Sequence, residues 1–151
     1  MDGGGAQGQK NRNVRALIAT ESLLRILRLA VDNHDGDLES FAVYLAVVTA
    51  GSGRVLRDPE LLARYGDSEA FPEEERQGVS RRAIAESLGL PRETVRRKIA
   101  KLIERGIVFE EDGMVKARSP VIGSDRSRTF VQGAVKEFER AGALLQRYPE
   151  R

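Results

Sequence analysis

Residues 80–117 read Ser80-Arg-Arg-Ala-Ile-Ala-Glu-Ser-Leu-Gly-Leu-Pro-Arg-Glu-Thr-Val-Arg-Arg-Lys-Ile-Ala-Lys-Leu-Ile-Glu-Arg-Gly-Ile-Val-Phe-Glu-Glu-Asp-Gly-Met-Val-Lys-Ala117. Ser80 can offer its side-chain oxygen to the free amides of a helix that starts at Arg81. Ala83, Ile84 and Leu88 recur at helical spacing and give that helix one apolar side. Gly89 can take the left-handed conformation that ends a helix. Pro91 suits the first turn of a second helix, where its missing N–H costs nothing. The second helix is expected from about Arg92 to Arg105, stopping at Gly106. At about 100° per residue, Val95, Ile99, Leu102 and Ile103 fall on one side and must face a core.

Two helices joined by so short a turn, with Gly in it, make a helix-turn-helix. Ile107, Val108 and Phe109 on one side and Met114, Val115, Lys116 and Ala117 on the other flank Asp112-Gly113, a strong two-residue hairpin signal. A hairpin directly after the second helix makes the unit a winged helix. The face of the second helix turned from the core holds Glu93, Thr94, Arg97, Ala100 and Lys101, with Arg92 and Arg96 on the flanks. Arg can bind guanine O6 and N7 in a bidentate manner, and Glu can accept from cytosine N4. Arg92, Glu93, Thr94 and Arg97 are therefore the expected base contacts. Arg81, Arg82, Arg96, Lys98, Lys101 and the wing residue Lys116 are the expected phosphate contacts, which set register and salt dependence. Residues 80–118 hold ten basic side chains against six acidic, a surplus of four, whereas the whole chain carries +2. The positive charge is concentrated where phosphate binding needs it.

The segment Pro91-Arg92-Glu93-Thr94-Val95-Arg96-Arg97 resembles the recognition helix of the cyclic-AMP receptor protein (Crp/Fnr) family. The resemblance implies base-edge contacts at the positions of Arg92, Glu93 and Arg97. Residues 85–90 and 102–108 are similar to bacterial winged-helix regulators generally. Pro91 stands where that family usually has a capping Ser, and Arg96 adds a charge. The residues before the motif read as helix, not as a cyclic-nucleotide β-roll, so the family's ligand scheme does not carry over.

A chain of 151 residues fits one domain of ordinary size. It has no cysteine, which excludes disulfides and thiol catalysis, and with a single histidine it lacks the usual zinc ligands. No metal or cofactor is expected. No apolar run approaches the roughly 20 residues of a membrane span, and no signal peptide is visible. A cytoplasmic protein without membrane contact is expected. No nucleophile–base pair survives inspection, so an enzyme is not expected.

Outside the motif, residues 1–13 are rich in Gly, Gln and Asn and read as a flexible tail. Gly3 to Lys10 superficially resembles a phosphate-binding loop, but Gln9 follows Gly8 and no strand precedes it. Residues 14–66 read as a helical N-terminal part. Leu17, Thr20, Leu24, Leu27 and Val31, widened by Leu23, Ile26 and Ala30, make an amphipathic helix ending near Asn33. Asp37 can cap a second helix, apolar nearly all round, that Gly51-Ser52-Gly53 should end. Asp58-Pro59 should start a short third helix ending near Gly66, with Leu61 and Leu62 as its contacts. Residues 67–79 form an acidic loop whose neighbouring carboxylates do not converge on one ion, and His34 reads as a turn residue.

A final helix is expected over residues 128–148. Val131, Val135, Phe138, Gly142 and Leu145 are spaced like a coiled-coil seam. Such a helix either packs on its own domain or pairs with a second copy. Pairing is favoured because a two-fold dimer sets two recognition helices in successive major-groove turns.

The fold class read from the sequence is mainly α with a small β-hairpin wing: a winged helix-turn-helix with flanking N- and C-terminal helices. Its expected partner is double-stranded DNA, bound by a homodimeric transcription regulator. The alternative is a winged-helix protein–protein interaction module that does not bind DNA. A small-molecule effector is compatible with the buried helices, but no polar constellation marks a site.

Overall fold

Helical periodicity governs most of the chain. The computed structural model, which describes residues 3–68, 72–118 and 124–149, contains six α-helices and a two-stranded hairpin among those residues. In order these are α1 (Gly3–Asn33), α2 (Leu38–Arg57), α3 (Pro59–Tyr65), a 3-10 turn (Glu73–Glu75), α4 (Arg81–Leu88), α5 (Arg92–Glu104), β1 (Val108–Glu111), β2 (Met114–Ala117) and α6 (Asp125–Gln146). Internal contacts divide the chain into two units. One comprises Met1–Gly36 with Thr129–Arg151, and the other Asp37–Arg128. The fold is therefore mainly α with a β wing and flanking helices.

In the second unit each boundary of the motif has a local cause. The Ser80 hydroxyl accepts from Ala83 N at 3.1 Å, and Gly89 ends α4 in the left-handed region at φ 64°. Gly106, at φ 68°, follows α5. Asp112 and Gly113, both at positive φ, make the tight hairpin turn that pairs Val108 with Ala117 and Glu111 with Met114. Val79 adds an antiparallel bridge to Val115, so the residue entering α4 also fastens the wing. The core is Val43, Val47 and Val55 of α2 with Ile84, Val95, Ile99, Leu102, Val108 and Val115, all nearly inaccessible to solvent. Ile103, expected inside, is exposed.

The expected stop at Gly51-Ser52-Gly53 is corrected: α2 runs on to Arg57. Glycine there serves close approach. A Cβ on Gly51 would lie 3.3 Å from Gln77 O, and Gly51 O accepts the Gln77 amide. Asp58 caps α3 through Glu60 N and Leu61 N, with Pro59 in the first turn. Leu62 is exposed rather than a packing contact.

In the first unit α1 and α6 run antiparallel. Arg15 Nη1 reaches Tyr148 O at 2.9 Å and Leu145 O at 3.3 Å. Arg140 reaches Glu21 at 3.6 Å, and a Cβ on Gly133 would lie 2.8 Å from Leu29 Cδ1. The helix α1 begins at Gly3, not near Val14, so the glycine-rich stretch read as a tail has a helical backbone. Asn11, buried, donates its Nδ2 to Pro149 O at 3.0 Å, a tertiary anchor that composition does not reveal.

The α1 face turned to α6 differs from the expected stripe. Ile18 and Ser22, outside that stripe, are buried, while of the stripe Ala30 is buried and Leu17, Leu23, Leu24 and Leu27 are exposed. The helix α6 starts at Asp125 and ends at Gln146, against the expected 128 and 148. Residues 69–71 of the acidic loop and 119–123, between the wing and α6, lie outside the described residues.

Candidate nucleic-acid interface

Burial of Val95, Ile99 and Leu102 orients α5 and leaves Arg92, Glu93, Arg96, Arg97, Ala100 and Glu104 exposed, with Thr94 half-buried beside them. Three of the four expected base contacts thus share the open face, and Thr94 lies on its edge. Arg92 and Arg97 make no ion pair with a described residue. Glu93 is held by Arg96 through bonds of 2.8 and 2.6 Å. That hydrogen bond, outweighing desolvation, keeps the Glu93 carboxyl below its ordinary value, with Arg96 and Arg97 adding attraction. Both partners are largely exposed, so the pair orders the face more than it stabilises the fold.

All six expected phosphate contacts have carboxylate partners. Arg81 of α4 pairs with Glu110 of β1, and Arg82 with Glu86 at 2.7 Å. Lys116 pairs with Glu111 at 2.7 Å. Pairs as open as Arg82–Glu86 and Glu93–Arg96 are cheap to exchange for a phosphate.

Lys98 and Lys101 are placed otherwise than expected. Asp37, the N-cap of α2, accepts Lys98 Nζ at 2.8 Å and Lys101 Nζ at 2.9 Å. It also accepts Ser40 N at 3.0 Å and Ser40 Oγ at 2.8 Å. Glu39 adds a 3.1 Å contact to Lys98. The side chains of Lys98 and Asp37 are 15% and 18% exposed, whereas that of Lys101 is 52% exposed, so the clasp is closed on the Lys98 side and open on the Lys101 side. Burial pushes the Asp37 carboxyl up, but the bonds from Lys98, Ser40 and Lys101 prevail and hold it well below the usual carboxylate range. The Asp37 bond raises Lys98 above its ordinary value, against desolvation and with help from Glu39.

Sequence reasoning missed two further residues. Arg76, in the stretch read as an acidic loop, is buried and donates Nη1 to Ala117 O at 3.0 Å, tying that stretch to the end of the wing. Burial lowers its guanidinium from the usual value, opposed by Glu73, Tyr44 and Glu74. A buried Arg among three Glu looks solvated in sequence, so no signal marked it. Arg118 lies 5.2 Å over the Phe109 ring at the base of the wing. The wing tip itself carries exposed Glu110, Glu111 and Asp112.

On α6, Val131, Val135 and Phe138 of the expected seam are exposed, and Gly142 and Leu145 are half-buried. Between α2 and α4 an open groove of about 560 Å3 is lined by Leu45, Ala46, Thr49, Ala83, Ile84 and Ser87 among others. No charged side chain lines it among the described residues. Among those residues no three His, Asp or Glu side chains are grouped to hold a metal ion, and no helix is long and apolar enough to cross a membrane.

Residues 74–108 match the family described as winged helix-turn-helix DNA-binding. That span takes in Arg76, α4, α5 and the first residue of β1, the parts that place the exposed cationic face. Over that span the chain is similar to a winged helix-turn-helix DNA-binding domain, and the match does not single out the Crp/Fnr family. No curated protein and no solved structure matches the chain.

Proposed function

We propose that this protein is a homodimeric, sequence-specific transcription regulator that lays α5 in the DNA major groove. The observation that carries this reading is the outward face of α5, where Arg92 and Arg97 stand exposed on a helix whose other side is fixed by Val95, Ile99 and Leu102. Arg92, Glu93, Thr94 and Arg97 read base edges, Arg to guanine and Glu to cytosine. Arg81, Arg82 and Arg96 meet phosphates by exchanging carboxylate partners, and Lys116 carries the wing's share.

Dimerisation uses the seam of Val131, Val135, Phe138, Gly142 and Leu145. Its support is that three of these apolar side chains lie open to solvent on an antiparallel helix pair. Leu17, Leu23, Leu24 and Leu27 of that pair are open as well. A two-fold dimer carries two copies of α5, as a pair of half-sites in successive major-groove turns requires.

Fluorescence anisotropy of the protein with random duplex DNA across a salt series tests the reading. The expected result is binding that weakens steeply with salt, because several phosphates are neutralised. A second reading, a protein-interaction module, is favoured by the acidic wing tip, which repels a DNA backbone. Absence of binding at low salt selects that reading.

A further inference from the structure

The clasp at the start of α2 has the composition of an anion site. Two ammonium groups, a backbone amide of a helix first turn and a hydroxyl converge on one point, the set that binds phosphate at helix N-termini. That point is filled by the protein's own carboxylate. Lys98 and Lys101 lie three residues apart on α5, Lys98 next to Arg97 of the reading face, and Asp37 is the first residue of the unit that holds the motif.

We infer that Asp37 takes the place of a DNA phosphate on Lys98 and Lys101, so that these two lysines orient the reading helix and do not bind the DNA backbone. The inference rests on the DNA-binding reading above. Asp37 is thus a positioning residue: it acts on DNA only through α5. By holding two cations it also lowers the protein's affinity for DNA of any sequence and leaves discrimination to Arg92, Glu93, Thr94 and Arg97.

The test is the salt dependence of binding to a short random duplex for the wild type and three variants. Asp37→Asn keeps a good capping residue, so α2 retains its start. It removes the carboxylate that holds Lys101 and leaves Lys98 with Glu39 alone, and the slope of log affinity against log salt should steepen by about 0.9 for each phosphate gained. That corresponds to about a threefold greater loss of affinity between about 50 and 200 mM salt per phosphate. Asp67→Asn, an equal charge change at an exposed site, should leave the slope at its wild-type value. Lys101→Gln, at a half-exposed side chain, should also leave the slope unchanged, and it decides the matter alone if Asp37→Asn does not fold.

An unchanged slope in Asp37→Asn, or a slope reduced by about 0.9 in Lys101→Gln, overturns the inference while the DNA reading stands. Failure of the wild type to bind at low salt overturns both.

Discussion

At the residue scale, charge matters by where it is fixed. Arg97 projects from the exposed side of α5 without an ion-pair partner among the described residues, so its guanidinium is available to a base edge. Arg97→Ala should lower affinity for a selected sequence by about 1–3 kcal/mol and spare random duplex. Titrations of both DNAs check this, and equal losses on each contradict a base-reading role. Asp37 makes the opposite use of charge, inside the protein. Its folded carboxyl lies below the unfolded value of about 3.9, so its stabilisation is complete above that pH and is lost as pH falls through the folded value. The stability gap between wild type and Asp37→Asn in urea denaturation should therefore be constant from about pH 5 to 8 and narrow below about pH 4. A gap that persists unchanged at about pH 2 would show that the carboxylate charge is not its source.

At the element scale, short helices depend on their ends. The helix α4 spans eight residues and buries Ile84 and Ala85, so the Ser80 cap is a large part of what starts it at Arg81. Ser80→Ala should cost about 1 kcal/mol of stability, seen as a lower urea midpoint with an unchanged slope. In α2 the glycine at position 51 is needed for contact with the loop, not for a bend. Gly51→Val places side-chain atoms against Gln77 O, where a Cβ already sits at 3.3 Å, and should lower the thermal midpoint. A midpoint equal to the wild type's would mean that the 76–77 segment yields without cost.

At the scale of the whole molecule, the first unit exposes apolar side chains that a small helix pair has every reason to cover. Leu17 is 70% exposed and Phe138 63%. Scattered exposed leucines need no explanation, but the proposed dimer would cover the seven exposed apolar side chains Leu17, Leu23, Leu24, Leu27, Val131, Val135 and Phe138 of this helix pair. Phe138→Glu should convert a dimer to a monomer in sedimentation and weaken binding to paired half-sites far more than to a single one. Because Phe138 is exposed in the single chain, its replacement should leave the helical circular-dichroism signal in place. Wild-type sedimentation as a monomer would remove the seam from the proposal.

The motif was legible from sequence because its determinants are local. Ser80, Gly89, Gly106 and Asp112-Gly113 act on their immediate neighbours, and helical periodicity places Val95, Ile99 and Leu102 within a single element. Those same local rules put Arg92, Glu93 and Arg97 on the outer face. Long-range pairing was not legible. A stripe of leucines on α1 looked like the buried side, yet the buried side holds Ile18 and Ser22, because α6 packs there through Gly133 and Arg140. Gly51 looked like a stop because its true neighbour, Gln77, is distant in sequence. That Lys98 and Lys101 meet Asp37 was not legible either, because it lies some sixty residues earlier in the chain. By itself the sequence determined the winged helix and the charge of its reading face, since caps, turns and periodicity act over a few residues. The tertiary structure alone decided which lysines Asp37 engages and which apolar stripe is left open, because those depend on which surfaces meet when distant elements fold together.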